Sequence, residues 1–234
     1  MAITATRRDR QRAQTIAEIK AAAWQEMRRS GTTDVSLRAV TRELGMVPSG
    51  IYRYYSSREQ LLTSLIIDTY DDLSATLRQA LDDAIAPPAV AVEELFVVVG
   101  LAYRQWALDN LLPYRLVFGN PLQDYQGNSD TTEASRGVTD VLLDIMVRLL
   151  QAGVLALDSL DAELDETLRR DFGRWAGVTS HPLPPAALAA AMYCYATLYG
   201  AIDTEVNGHQ PPALAGNADM FAANLRHSIR SILS

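Results

Sequence analysis

Apolar residues return every three or four positions along almost the whole chain, and no stretch alternates in the way a half-buried strand requires. That periodicity predicts an all-α fold. Its longest run is Leu61, Leu62, Leu65, Ile66, Tyr70, Leu73, Leu77, Leu81 and Ile85, a single stripe on one helix. Ser56 or Ser57 can cap this helix, and Pro87-Pro88 ends it. About 27 residues at ~1.5 Å each make a rod of ~40 Å.

Three shorter helices precede the rod. Ile16, Ile19, Ala22, Ala23 and Met27 keep helical spacing until Gly31. Ser36 caps Leu37 to Leu44, which Gly45 ends, and Pro48 suits the first turn of a helix reaching about Tyr54. Downstream, helices are predicted over Ala91 to Asp109 and Leu112 to Phe118, then around Val138 to Leu150. Three more follow over Asp161 to Trp175, from Leu188 to Val206 and from Asn217 to Ile232. Gly119 to Asp130 and Gly177 to Pro185 read as breaks.

Charge divides these helices into two groups. Residues 1–65 hold 11 basic and 6 acidic side chains, a balance of +5, whereas 66–234 hold 10 basic and 22 acidic, a balance of −12. A basic amino-terminal segment on an acidic body suits contact with a polyanion through the small segment alone. The expected division is therefore 1–65 as the reader and 66–234 as a second helical domain.

Within the basic segment, residues 36–54 have the order short helix, glycine turn, short helix, which is the helix-turn-helix arrangement. Gly45 stands where the chain turns tightly. Leu37, Val40, Leu44, Val47 and Ile51 form an inner face, leaving Ser49, Gly50 and Arg53 outward on the second helix, whose opening turn suits a major groove. Arg53 can reach guanine O6/N7 or a phosphate, and Tyr52, Tyr54 and Arg58 lie at the edges where phosphates run. The bare spacing equally fits an αα-corner with aromatic packing.

The run Gly45-Met46-Val47-Pro48-Ser49-Gly50-Ile51-Tyr52-Arg53-Tyr54-Tyr55-Ser56-Ser57-Arg58-Glu59-Gln60-Leu61-Leu62 resembles the TetR-type (TetR/AcrR) transcriptional regulators. Their recognition helix and the start of helix four read G-V-x-x-x-x-[LI]-Y-x-[HY]-F-x-[SN]-K-x-x-L-[LF]. Ile19, Ala22, Ala23, Met27, Gly31, Ser36, Leu37 and Val40 fall at the family's upstream positions. Met46, Tyr55 and Arg58 replace the usual valine, phenylalanine and lysine, and Thr41 replaces an alanine. The resemblance implies a helix-turn-helix DNA-binding domain joined by a long helix four to a helical ligand-binding and dimerisation domain. It makes Ser49, Gly50 and Arg53 base readers, with Val47 in apolar contact. Tyr52, Tyr54, Arg58, Ser36 and Arg38 would hold phosphates. Arg7, Arg8, Arg10 and Arg12 read either as a minor-groove arm or as a tail of nonspecific attraction.

Tyr195 to Val206 is similar to a W-x-x-x-H-G-x-x-x-L-E motif of the family's carboxy-terminal domains, with Tyr195 and Tyr199 in place of Trp and His. In the family the last two helices pair with their copies. The resemblance therefore implies a homodimer through Ala191, Tyr195, Leu198, Tyr199, Ile202, Phe221 and Leu225. The apolar, alanine-rich stretch Ala186 to Ile202 agrees with a helix buried on two sides. Tyr103, Trp106, Tyr114, Phe118, Met146, Phe172 and Trp175 are the candidate lining of an effector pocket, with Arg104 or Arg115 as its polar contact.

Catalysis finds little support. Cys194 is the single cysteine, and His181, His209 and His227 lack metal-ligand or nucleophile–base spacing. No cofactor and no metal are expected. The amino-terminus lacks an apolar signal region, and Ala186 to Ile202 is short for a bilayer span, so a cytoplasmic protein with no membrane contact is expected. The expected function is a homodimeric repressor released from a palindromic double-stranded DNA operator by a small-molecule effector. The competing class is an all-α small-molecule binder or enzyme whose first helices serve packing alone.

Overall fold

A computed structural model describes residues 6–119, 122 and 125–234. The described residues form ten α-helices: α1 Arg7–Ser30, α2 Leu37–Glu43, α3 Arg58–Ile85, α4 Leu95–Asp109 and α5 Leu111–Phe118, then α6 Ser129–Gln151, α7 Leu157–Ala162, α8 Glu166–Ala176, α9 Pro185–Val206 and α10 Ala218–Arg230. Two 3₁₀ segments, Pro48–Arg53 and Val92–Glu94, accompany them. The extended pairing among the described residues is one isolated bridge, Leu155 with Leu233.

The helix predicted from Pro48 to Tyr54 is a 3₁₀ helix, so the long rod is the third α-helix rather than the fourth. At three residues per turn, positions three apart eclipse. Ser49 and Tyr52 therefore share the outer side, while Ile51 is buried. The acidic helix predicted over Asp161 to Trp175 is two helices. Asp165 accepts a hydrogen bond from the Leu168 N–H at 2.8 Å and caps α8, which ends α7 upstream. The rod itself has 28 residues, and Leu61, Leu62, Leu65, Leu73, Leu77 and Leu81 are fully buried along it.

The chain divides into two compact units. One comprises Met1–Thr69 with Leu112–Glu133, the other Tyr70–Leu111 with Ala134–Ser234. The stretch 112–133, assigned from sequence to the second domain, thus groups with the first.

In the first unit α1 packs on α2, and Ile19, Ala23, Met27, Val40 and Ile51 form its centre. Thr6 caps α1, its hydroxyl accepting from the Asp9 N–H while the Asp9 carboxylate accepts from the Thr6 N–H. Gly31 closes it in the left-handed conformation, φ 70°. The basic arm is therefore helical from Arg7 onward.

In the second unit α9 packs against α4, α7, α8 and α10. Leu188, Ala191, Cys194, Leu198 and Ile202 are the buried stripe of α9. Gly100 of α4 lets α10 approach, since a Cβ there would fall 2.3 Å from the Leu225 Cδ1. With 22 residues, α9 is long and apolar enough by composition to cross a membrane, and its buried face is spent on its neighbours.

Candidate nucleic-acid interface

The turn between α2 and the 3₁₀ helix depends on Gly45, at φ 61°, a conformation that costs side-chain-bearing residues about 1–2 kcal/mol. Its neighbour Met46 returns an N–H to the Thr41 carbonyl at 2.9 Å, closing the loop. Thr41, buried where the family usually has alanine, donates its hydroxyl to the Arg38 carbonyl at 3.0 Å. Ile51 and Tyr55 anchor the recognition segment inward, and the Tyr55 hydroxyl lies 3.2 Å from the Ser64 hydroxyl.

On this base Ser49, Tyr52 and Arg53 are exposed, and Val47 and Tyr52 are two-thirds and half exposed. Both side chains therefore lie outside the core of the unit. Val47 thus leaves the inner face to which its spacing assigned it. Gly50 requires the opposite correction. It is buried, and a Cβ there would meet Met46 Cε at 3.4 Å and Val47 Cγ2 at 3.6 Å. Gly50 packs against Met46 and Val47 and does not face outward.

Tyr54 is half-buried beneath Arg12, whose guanidinium carbon lies 5.2 Å from the ring centroid. Arg12 also donates to the Arg53 carbonyl at 3.2 Å. The sequence placed Arg12 in a loose arm, whereas the structure makes it a brace on the end of the recognition segment. Its separation of 41 residues from Arg53 left no periodic signal.

Ser36 and Arg38 are exposed at the start of α2. Together with Asp34, Val35, Leu37, Tyr52, Ser56, Ser57 and Arg58 they line an open concavity of about 530 Å³. Arg58 is already engaged there: Nε donates to the Val35 carbonyl at 3.1 Å and to Asp34 Oδ1 at 3.0 Å, and Nη2 pairs with the same carboxylate oxygen. Its expected role toward a phosphate begins from an ion pair.

The effector-pocket candidates do not assemble as expected. Arg104 is buried and bound to Glu205 through Nε–Oε2 at 2.7 Å and Nη2–Oε1 at 2.5 Å, with a third bond to the Gly216 carbonyl at 3.1 Å. That corrects its assignment as a ligand contact, because its Nε and Nη2 donors are committed to the fold and the side chain is buried. Trp106 is buried and donates to Asp72 Oδ2 at 2.7 Å. Tyr103 and Met146 are core, and Tyr103 meets Trp106 edge-on at 6.5 Å. Tyr114 is buried beside half-buried Phe118 in the first unit, with ring centroids 5.1 Å apart, and Arg115 on the same helix is exposed. Phe172 and Trp175 are half-buried on α8 in the second unit, 6.3 Å apart.

The expected dimer residues also need correction. Ala191, Leu198, Ile202, Phe221 and Leu225 are all buried inside the protomer. Tyr195 and Tyr199 stack at 6.2 Å on the flank of α9. The open face of α9 and α10 is a different one: Tyr193, Thr197, Gly200, Ala201, Thr204, Asn224, His227 and Ser228 line a concavity of about 320 Å³. No candidate effector residue lines either concavity.

Among the histidines, His181 is buried with Nε2 2.9 Å from Asp144 Oδ1 and Nδ1 3.6 Å from Asp140 Oδ1. Arg78 pairs with the same Asp144. Burial works to raise the Asp144 carboxyl, but hydrogen bonds from Arg78 and His181 outweigh it and hold it below its ordinary value. This cluster fastens the loop before α9 to α6. Among the described residues no group of three His, Cys, Asp or Glu side chains is arranged to hold a metal.

Comparison with known proteins decides what the exposed turn belongs to. Residues 19–65 match the family described as bacterial regulatory proteins, tetR family, and residues 96–228 match the tetracyclin repressor-like C-terminal domain. The chain belongs to the TetR family. It is 32% identical over 180 residues to the HTH-type transcriptional regulator Rv1816 of Mycobacterium tuberculosis, covering 76% of this chain and 74% of that protein. A counterpart in Mycobacterium bovis, Mb1846, matches equally. Among solved structures, the regulatory protein SCO4313 is similar at a TM-score of 0.75 and 29% identity, covering 95% of this chain and 98% of that one. A TetR-family regulator from Shewanella shares the fold at a TM-score of 0.62 and 15% identity, over 94% and 98% of the two chains. As a TetR-family member the protein is a DNA-binding transcriptional regulator built on an all-α fold, its amino-terminal helix-turn-helix joined through a long helix to a larger helical domain.

Proposed function

We propose that the protein is a homodimeric repressor that a small molecule releases from a palindromic operator. The observation that carries this reading is the exposed set Ser49, Tyr52 and Arg53 on a segment whose other side is anchored by Ile51 and Tyr55. Ser49 and Arg53 read base edges, Val47 meets apolar groups in the groove, and Tyr52, Tyr54, Ser36 and Arg38 position the phosphate backbone. DNA reading is assigned to residues 1–65, and effector binding with dimerisation to 66–234. The operator places the protein in the cytoplasm, and no enzymatic step is assigned to it.

Two copies meet through the open face of α9 and α10, where Gly200 has nothing within 4 Å of its Cβ direction and small side chains admit close helix approach. A two-fold pair sets its recognition segments ~34–36 Å apart, in successive major grooves. The effector is an apolar, aromatic-compatible molecule, and Phe172 and Trp175, half-buried together on α8, are the candidate side chains of the second unit left partly open to receive it. An effector that prefers the DNA-incompatible state by ~1–3 kcal/mol weakens operator binding roughly 5–150-fold, and near-complete switching needs ~10⁴.

Footprinting on the promoter of the protein's own gene tests the reading. Two symmetric protected half-sites one helical turn apart are expected, and protection of a single asymmetric patch would contradict a two-fold reader.

A further inference from the structure

Arg58 opens α3 beside the concavity that Ser36, Arg38 and Tyr52 line. It is less than a quarter exposed, and its guanidinium is held by the Val35 carbonyl and the Asp34 carboxylate. Asp34, by contrast, is 70% exposed. A second carboxylate, Glu59, stands 4.0 Å from Nη1, outside hydrogen-bond reach. The basic face therefore carries an exposed acid on a cation that lines its concavity.

We propose that Asp34 is an affinity-setting residue that occupies Arg58 in the free protein, so that a backbone phosphate must displace its carboxylate to be bound. The inference rests on the reading that this face meets duplex DNA. The exchange replaces one anion by another on the same guanidinium, and the released carboxylate then faces the polyanion. Asp34 thus lowers the number of phosphates the protein neutralises by about one. The effect is independent of base sequence, because phosphate contacts position the protein and carry no sequence information. Asp34 therefore sets overall affinity and salt dependence, and leaves the discrimination made by Ser49 and Arg53 unchanged.

Asp34→Asn keeps the shape and removes the charge. Its binding to a short duplex of scrambled sequence, followed by fluorescence anisotropy from ~50 to ~200 mM salt, reads the exchange. The variant binds more tightly than wild type, and its log–log salt slope steepens by about 0.9, so its advantage shrinks roughly 3.5-fold across that range. Glu59→Gln removes an equal charge that is not hydrogen-bonded to Arg58, and gives the smaller gain. In an Arg58→Gln background, with folding checked by circular dichroism, Asp34→Asn gains nothing. An unchanged slope, an equal gain in Glu59→Gln, or a gain that survives without Arg58 overturns the proposal. Wild-type protein that binds no duplex at low salt would instead overturn the interface reading itself.

Discussion

Removing the Arg104 guanidinium leaves Glu205 as a charge inside the second unit with no cation to meet it. The two side chains are 9% and 7% exposed and share two hydrogen bonds, with the Gly216 carbonyl and the Phe221 ring, 5.6 Å away, completing the surroundings of the arginine. A buried pair broken on one side costs about 3–5 kcal/mol, since the stranded ion keeps its desolvation penalty and loses its attraction. For a chain of this size each kcal/mol moves Tm by ~2–4 °C, so Arg104→Met is expected to melt ~6–20 °C below wild type. The double variant Arg104→Met/Glu205→Leu removes both charges and recovers most of that loss, short by about 1 kcal/mol for the Gly216 carbonyl left without its donor. Circular dichroism melts and urea titrations of the four proteins give the complete cycle. A single variant within about 1 kcal/mol of wild type would show that Glu205 is solvated and the packing argument wrong. A variant that loses effector response at full stability would return Arg104 to the effector site.

Further outcomes follow from burial. Ala201→Asp, on the open α9–α10 face, is expected to yield folded monomers with weakened operator binding in sedimentation and gel-shift assays. Leu198→Asp, inside the protomer, is expected to unfold the second unit, and an Ala201→Asp protein that stays dimeric would remove the proposed interface. Burial pushes the Cys194 thiol from 9.0 up to about 11, against a weak hydrogen bond from Ser228 that acts the other way. Its neutral form is thus favoured by folding, and the stability it contributes is intact below pH 9.0 and lost as pH rises from 9.0 toward about 11. A thiol reagent at neutral pH should find no reactive cysteine until denaturant is added.

The helical architecture was legible because apolar period and end signals agree: Gly31, Gly45 and the Pro87-Pro88 break all act where the sequence places them. Misreadings arose where local pattern underdetermines geometry. Nothing in Pro48 to Arg53 distinguishes a 3₁₀ turn from an α-turn by period, and Val47 is the extended residue before that turn, so spacing alone gave neither its exposure nor the burial of Gly50. On α9 almost every side is apolar, so periodicity could not say which side meets the protomer's own α4 and α10. The small, uncharged residues Thr197, Gly200, Ala201 and Thr204 carried that signal. Arg104 and Glu205 are 101 residues apart, and only tertiary packing joins them.

The central claim is that the outer side of the Pro48–Arg53 segment reads base sequence. Its most direct test compares wild type and Arg53→Ala on the footprinted promoter site and on a scrambled duplex, at one fixed salt concentration. A base-reading Arg53 predicts a loss of about 1–3 kcal/mol on the cognate site and little change on the scrambled one. Equal losses on both duplexes would make Arg53 a phosphate contact and contradict the account.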